Sequence, residues 1–207
     1  MAKRKKPEFD KSRYFKRLVG TKETKATFLI VCEGEKTEPN YFKAFKVVSA
    51  EIEVEGTGMN TVGVVEEAIR LRNEKVRNGI DYDQVWAVFD RNSFPKESFN
   101  EAFSLARRQG IKIAYSIEAF ELWYILHFHF YQSALSRVDY CEKLSGLLGH
   151  KYDKNCETIY DELLARQGEA IRNAKNLLAS HPEPDNYDNN PSTTVFRLVE
   201  ELNNYKR

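Results

Sequence analysis

Long apolar segments are missing from this 207-residue sequence. Its longest uninterrupted apolar runs are about five residues, as at positions 28–32, whereas a helix that spans a membrane needs about 20. The basic residues near the start are followed by no apolar region of the kind found in secretory signals. We therefore expect no transmembrane helix, no signal peptide and no membrane partner.

Cysteines are scarce as well, with only Cys32, Cys141 and Cys156 in the chain. Their odd number and their spacing form no C-x-x-C pair and no disulfide framework. Free thiols are typical of a reducing compartment, so a cytoplasmic location is expected. Cys32 lies inside an apolar run and is predicted to be buried in a core strand.

The net charge is only +1, but the charge is unevenly distributed. Residues 1–25 contain ten Lys or Arg and three acids, whereas the rest of the chain contains 22 basic and 28 acidic residues. Two interpretations of the basic segment stay open. It is either a solvated, disordered end or an arm that contacts nucleic-acid phosphates without sequence preference.

Four short segments rich in β-branched and aromatic residues are predicted to be strands, at 28–32, 51–55, 85–89 and 111–115. The first and third are continuously apolar, which is typical of strands buried on both faces of a parallel sheet. Segments with helical spacing separate the four strands. This β-α-β-α-β-α-β order predicts an α/β fold with a mostly parallel sheet flanked by helices.

Helices are predicted between and after these strands. Those between the strands are predicted at residues 40–49, from Thr61 to Gly79 and from Phe99 to Gly110. From Ala119 onward the spacing is helical, and residues 191–194 open a last helix. We predict a basic arm (1–25), an α/β core (26–130) and an α-helical C-terminal extension packed on that core (131–207).

Acidic residues follow the two most apolar strands where each strand ends. Glu33 comes directly after residues 28–32, and Asp90 directly after residues 85–89. Because open α/β sheets bind ligands at the carboxyl ends of their strands, both carboxylates are expected to face one crevice. Carboxylates held close together repel unless they are protonated or bridged by a cation, and oxygen ligands favour Mg²⁺ or Mn²⁺ over Zn²⁺. A helix cap or simple exposure to solvent is the alternative for each acid.

Other acids near these strand ends could join the cluster. Glu121 lies at a predicted helix start just after the fourth strand, and its alternative role is to stabilise that helix N-terminus. Glu35 and Glu38 follow the sharp turn expected at Gly34 and are candidates for an additional ligand.

Several basic and hydroxyl side chains are candidates for binding substrate phosphate. The residues around Lys36 do not form a phosphate loop, because Glu35 stands where that motif requires glycine. Lys36 and Arg91 are nevertheless candidate phosphate contacts, with an ion pair to a site acid as the alternative for Arg91. Lys175 and Thr193 on the predicted C-terminal helices are also candidates, with a simple helix cap as the alternative for Thr193.

The segments that carry these residues resemble a known family. A glutamate after the first strand, in LIVCEGEKTE, and an aspartate that begins a D-x-D position after the third are similar to the Toprim domain of primases, topoisomerases and OLD-type nucleases. The wider sequence resembles the RloB family of Toprim proteins, which is linked to restriction loci and phage defence. FELW and NPSTTV distinguish that family from other Toprim proteins. The matching segments are VCEGEKTEPNYF (31–42), VWAVFDR (85–91), AFELWYILHF (119–128), AIRNAKNL (170–177) and NPSTTVFRLVEEL (190–202).

The resemblance implies a Toprim-like fold and roles for individual residues. Glu33 is expected to be a general acid/base or a metal ligand, and Asp90 a metal ligand. Glu121 is a candidate third catalytic carboxylate because of its position after the fourth strand, and not because of the resemblance. The second acid of D-x-D is expected at position 92, where this chain has Asn92, which can bind a cation through its carbonyl oxygen but adds no charge. Glu118 stands where the family pattern has proline, and a compensating carboxylate is one hypothesis for it.

The function implied by the resemblance is cleavage of nucleic-acid phosphodiester bonds with Mg²⁺ or Mn²⁺, on DNA or on RNA such as tRNA, in anti-phage defence. A partner ATPase, other restriction-locus proteins and a second copy of the chain are the protein partners considered. Two alternatives stay open: a non-catalytic nucleic-acid-binding or sensing module, which Asn92 favours, and a nucleotidyl or phosphoryl transferase.

Overall fold

A computed structural model of the protein describes residues 25–91 and 95–206. The basic arm predicted over residues 1–25 lies outside the described residues except for Lys25. Asn92, the predicted metal ligand next to Asp90, also lies outside them.

A four-stranded parallel sheet forms the centre of the described chain. Its strands are β1 (Ala26–Cys32), β2 (Ala50–Gly56), β3 (Gln84–Arg91) and β4 (Lys112–Ile117), in the spatial order β2-β1-β3-β4. The two central strands, β1 and β3, are the two continuously apolar ones, because each has both faces covered. The predicted α/β fold with a parallel sheet flanked by helices is confirmed.

Eight α-helices are described around this sheet. They are α1 (Thr37–Lys43), α2 (Thr61–Arg77), α3 (Lys96–Gln109), α4 (Glu121–Ile125), α5 (Arg137–Leu148), α6 (Ile159–Leu163), α7 (Gln167–Ala179) and α8 (Val195–Asn203), with a 3₁₀ turn at Leu164–Arg166 between α6 and α7. None of the helices in the described part of the chain is long and apolar enough to cross a bilayer.

Helix α1 is shorter than predicted, and its predicted end at residue 49 was wrong. The helix ends at Lys43, although Phe45 beyond it is still buried. The backbone N–H of Val48 donates to the carbonyl of Tyr205 at 2.9 Å. This segment is therefore bound to the chain after α8, and the helical spacing of its apolar residues does not correspond to a helix.

The two faces of the sheet are covered differently. Helices α2 and α3 cover one face, with Val65 and Phe99 among their buried residues. The other face packs against α1, α4 and the C-terminal helices in one hydrophobic cluster that includes Trp123, Leu177 and Leu202. The helical extension thus shares a continuous core with the sheet, while the predicted boundary at residue 130 stays a prediction. Cys32 is fully buried in β1, as predicted.

Candidate active-site cleft

A cleft of about 330 Å³ lies at the carboxyl end of the sheet. The carboxylates that line it are Glu33, Glu38, Asp90 and Glu121. Glu33 follows β1 directly, Asp90 is near the end of β3, and Glu121 begins α4 shortly after β4. The structure therefore brings together the three acids predicted as catalytic, and it adds Glu38 from the first turn of α1.

The backbone at the ends of β1 and β3 holds Glu33 and Asp90 next to each other. The N–H of Glu33 donates to the carbonyl of Val88 at 2.8 Å, which extends the ladder between the two strands. The N–H of Asp90 in turn donates to Oε2 of Glu33 at 3.0 Å. The parallel pairing of β1 and β3 thus orients the Glu33 carboxylate directly.

Gly34 makes room for Glu38 in the wall of the cleft. A Cβ atom at residue 34 would lie 2.1 Å from Oε2 of Glu38, well inside van der Waals contact. Only 4% of Glu38 is exposed. Burial raises the pKa of Glu38 to about 7, opposed by its backbone hydrogen bonds and reinforced by the negative charges of Glu121 and Glu33.

Asp90 is the most strongly perturbed acid of the cleft. Its Oδ2 accepts hydrogen bonds from the N–H of Phe120 at 3.2 Å and from Nη2 of Arg137 at 3.4 Å. Its Oδ1 is buried and has no hydrogen-bond partner among the described residues. Burial, and then the charges of Glu38, Glu121 and Glu33, raise the pKa of Asp90 well above its ordinary value, while Arg137 opposes the rise.

Glu121 is almost completely buried, with 2% of its surface exposed. Its Oε1 lies 3.4 Å from the hydroxyl of Tyr152 and 3.4 Å from Nζ of Lys154. The thiol of Cys141 is 3.8 Å from the same oxygen. The C-terminal helical region therefore supplies the polar partners of this carboxylate.

The charges that line the cleft do not balance. When all are ionised, the four carboxylates face two cationic side chains, Arg137 and Lys154, and leave an excess of two negative charges. Oxygen donors, crowded negative charge and the unpartnered Oδ1 of Asp90 fit a hard divalent cation such as Mg²⁺ or Mn²⁺. Among residues 25–91 and 95–206, no group of three or more His, Cys, Asp or Glu side chains has the geometry to hold a metal ion.

Two candidate phosphate contacts, Lys36 and Arg91, lie near the cleft but not on its lining. Lys36 is exposed at the start of α1. Nη1 of Arg91 contacts Oε1 of Glu118 at 3.0 Å, and its guanidinium lies 4.6 Å from the ring centre of Tyr187. Arg91 is thus in an ion pair, as its alternative role predicted, but with Glu118 and not with an acid of the cleft. The hypothesis that Glu118 compensates for Asn92 gains no support, since Glu118 does not line the cleft.

Lys175 and Thr193 are placed in the structural framework. Nζ of Lys175 lies 2.6 Å from Oε1 of Glu200, so α7 and α8 are joined by this pair. Thr193 is fully buried, and its hydroxyl donates to the carbonyl of Tyr115 at 3.1 Å. Neither side chain lines the cleft, and Thr194, not Thr193, is the residue that precedes α8. Their predicted contacts with substrate stay predictions that the geometry does not favour.

Arg137 and Lys154 are the cleft residues that the sequence interpretation missed. Arg137 is the first residue of α5, and Ser136 and Asp139 form a capping box around it. That Ser-x-x-Asp pattern marks the helix start in the sequence, but nothing in it indicates that Arg137 meets Asp90. Lys154 lies in the connection between α5 and α6, where no sequence pattern marks it.

A comparison with protein families gives a match over most of the chain. The family model described as RloB-like protein matches residues 28–202. The matched range contains all four carboxylates and both cationic side chains of the cleft. No curated protein and no solved structure matches the chain.

Proposed function

Since the chain belongs to the RloB-like protein family, we propose that its cleft cleaves phosphodiester bonds of nucleic acid with Mg²⁺ or Mn²⁺ as cofactor, in anti-phage defence. The observation that carries this proposal is the convergence of four carboxylates in one cleft, one of which has a buried oxygen without a hydrogen-bond partner among the described residues. Structural acids are normally paired or exposed. Three of these acids, Glu38, Asp90 and Glu121, are buried. Burial first, and then the neighbouring negative charges, raise the pKa of Glu38 and of Asp90.

Asp90 and Glu121 are the side chains to which we assign the cation, with Glu38 as a further carboxylate and Asn92 as a further proposed oxygen ligand, and Glu33 is assigned to proton transfer. A bound Mg²⁺ or Mn²⁺ supplies Lewis-acid stabilisation of the negative charge that develops on the phosphate. The remaining chemistry belongs to the protein's own groups.

Glu33 is the proposed general base, because the N–H of Asp90 holds its carboxylate in one orientation. Water or a nucleotide hydroxyl attacks phosphorus, and Glu33 accepts the proton of the attacking oxygen. The bond from phosphorus to the leaving oxygen breaks, and the leaving oxygen keeps the electron pair of that bond and takes up a proton from solvent. A general base of this kind contributes about 100-fold to 10,000-fold to the rate.

A cleavage assay on labelled RNA, tRNA and duplex DNA with Mg²⁺, Mn²⁺ or EDTA tests the proposal. Wild-type protein should cleave at least one substrate only with the metal, and Glu33→Gln should lower the rate by at least about 100-fold. Glu53→Gln is the matched control, because Glu53 lies on β2 and pairs with Lys75 outside the cleft. Equal rates for Glu33→Gln and Glu53→Gln would reject Glu33 as the base.

A second candidate function is binding or sensing of nucleic acid without cleavage. Asn92 favours it, since the position after Asp90 and Arg91 lacks the second acid of D-x-D. Asn92→Asp separates the two functions, because the added carboxylate should increase metal-dependent cleavage by a nuclease. If neither wild type nor Asn92→Asp cleaves and both still bind nucleic acid, the binding module is the correct function.

A further inference from the structure

Two cationic side chains from the helical extension each meet one buried carboxylate of the cleft. Nη2 of Arg137 lies 3.4 Å from Oδ2 of Asp90, and Nζ of Lys154 lies 3.4 Å from Oε1 of Glu121. The carboxylate side chains are only 10% and 3% exposed, whereas the two cationic side chains are 44% and 46% exposed. Each contact therefore joins a fixed anion to a cation that reaches out to solvent.

Both contacts are longer than most ion pairs among the described residues, and the three longer pairs, at 3.8–4.0 Å, join side chains that are all more than half exposed. Charge-assisted N–H···O bonds are usually about 2.7–2.9 Å, and Lys112 lies 2.9 Å from Oε1 of Glu201. Lys112 is 45% exposed, so its exposure matches that of Lys154. Exposure alone thus does not explain the longer contacts in the cleft, where Arg137 and Lys154 are close to the acids but loosely bound to them.

The backbones that carry the two cations are held firmly. The capping box of Ser136 and Asp139 fixes the start of α5 and so the position of Arg137. The carbonyl of Lys154 accepts a hydrogen bond from the Thr37 hydroxyl at 3.2 Å, which binds this loop to α1. The ends of the long side chains are therefore the parts that can change partners, and Nη2 of Arg137 already divides its contacts between Asp90 and the carbonyl of Glu118, which it meets at 3.2 Å.

We propose that Arg137 and Lys154 are exchangeable counter-ions, which pair with Asp90 and Glu121 while the cleft lacks a divalent cation and move to the phosphates of the nucleic-acid backbone when a cation is bound. The inference rests on the proposed function. A divalent cation on the carboxylates competes for the same oxygens and repels the two positive side chains. A phosphate next to that cation is then the nearest anion within their reach.

If the two side chains exchange partners in this way, replacing either one should change the affinity for Mn²⁺ and the affinity for nucleic acid in opposite directions. Arg137→Gln or Lys154→Gln removes a competitor of the metal, so each variant should bind Mn²⁺ about two- to fivefold more tightly, the range of a half-exposed ion pair. Each should bind nucleic acid about tenfold more weakly, because a charge-assisted contact with phosphate is lost. The slope of log Kd against log salt should fall by roughly 0.7–0.9 for each variant. A side chain that only supported the fold would weaken both affinities when replaced.

Two binding titrations test the inference without relying on cleavage. Mn²⁺ affinity is measured from the electron paramagnetic resonance signal of the free ion. Nucleic-acid affinity is measured by fluorescence anisotropy of a labelled oligonucleotide in Ca²⁺, which accepts oxygen ligands in a more flexible geometry than Mg²⁺. Lys112→Gln and Arg70→Gln are the matched controls, since both side chains pair with glutamates outside the cleft. Arg137→Lys, which keeps the charge, should recover most of the nucleic-acid affinity.

Tighter Mn²⁺ binding together with weaker nucleic-acid binding, relative to both controls, supports the exchange. A parallel loss of both affinities, or no change in either, overturns it. If wild type binds no nucleic acid, the proposed function fails, and the Mn²⁺ titration then decides separately whether the two side chains compete with the metal. Circular dichroism melting of each variant shows whether a parallel loss comes from unfolding.

Discussion

The two ends of the central sheet contain similar residues in opposite electrostatic states. At the amino end, Glu201 of α8 accepts hydrogen bonds from Gln84 at 3.0 Å and from Lys112 at 2.9 Å. These bonds lower the pKa of Glu201. At the carboxyl end, burial and neighbouring acids raise the pKa of Asp90, and its Oδ1 has no hydrogen-bond partner among the described residues.

The comparison indicates that the amino end of the sheet stabilises the fold, whereas the carboxyl end is suited to binding a ligand and to catalysis. A carboxylate whose oxygens all accept hydrogen bonds, such as Glu201, stabilises the folded protein without any ligand. Acids that outnumber their donors cost stability until a ligand neutralises them, so a protein keeps such a cluster where it needs one for function. Four experiments test this contrast, in order of decreasing expected effect.

Asp90→Asn should separate activity from stability. The variant keeps the size of the side chain but removes the charge. Metal-dependent cleavage should fall by about 100-fold or more, because loss of a direct ligand should cost no less than the roughly 10- to 100-fold cost of losing an outer-shell partner. The thermal midpoint of the metal-free protein should rise, because one of the repelling charges is gone. Cleavage assays and melting curves of the same preparation measure both quantities. A variant that is less active and also less stable would contradict the claim that the cluster costs stability.

The stability of the metal-free protein should fall as pH rises from about 4.5 to about 7. The folded-state pKa of Glu38 is raised, so its stabilising contribution is complete below the ordinary pKa and is lost as pH rises through about 7. One proton that is bound in the folded state but not in the unfolded state changes the free energy of unfolding by at most about 1.4 kcal/mol per pH unit. Urea unfolding at several pH values measures the slope, which Glu38→Gln should reduce. If wild type and Glu38→Gln show the same slope, the assignment to Glu38 is wrong.

Gly34→Ala should distort the cleft by steric contact alone. The new Cβ would lie 2.1 Å from Oε2 of Glu38, so the carboxylate must move, at a cost of about 1–3 kcal/mol in the free energy of unfolding. Mn²⁺ affinity should fall by about tenfold at the same time. Gly146→Ala in α5 is the control, because a Cβ there meets no atom within 4 Å. It should stabilise the helix slightly and leave Mn²⁺ affinity unchanged.

Glu201→Gln at the amino end should have the smallest effect. Its ion pair with Lys112 is about half exposed, so the free energy of unfolding should fall by less than about 1 kcal/mol. The pKa of Glu201 is lowered in the folded protein, so this contribution is present above the ordinary pKa and disappears as pH falls, opposite to the effect of Glu38. Unfolding curves at neutral and acid pH measure the difference. Any change in cleavage would show that the two ends of the sheet are coupled.

Much of the site could be predicted because it follows directly from strand order. An apolar run that ends in an acid can be recognised from a short stretch of sequence, and parallel pairing brings the carboxyl ends of such strands to one edge of the sheet. For this reason Glu33 and Asp90 were predicted to converge, with Glu121 as a candidate third acid, and all three line the cleft. Their chemical roles stay proposals.

The errors have a common cause in long-range contacts. Thr193 was a candidate for phosphate binding, yet its hydroxyl bonds to Tyr115, 78 residues earlier. The end of α1 was misplaced because Val48 bonds to the chain after α8. Residues so far apart in sequence carry no local pattern that would reveal their pairing.

The sequence by itself determined the order of strands and helices and the placement of acids after the central strands, because apolar periodicity and strand polarity are local properties. Tertiary structure alone decided that Glu38 is buried beneath Gly34 and that Arg137 and Lys154 reach the cleft. The state of a carboxylate depends on every charge and donor within a few ångströms, and those groups come from parts of the chain that only folding brings together.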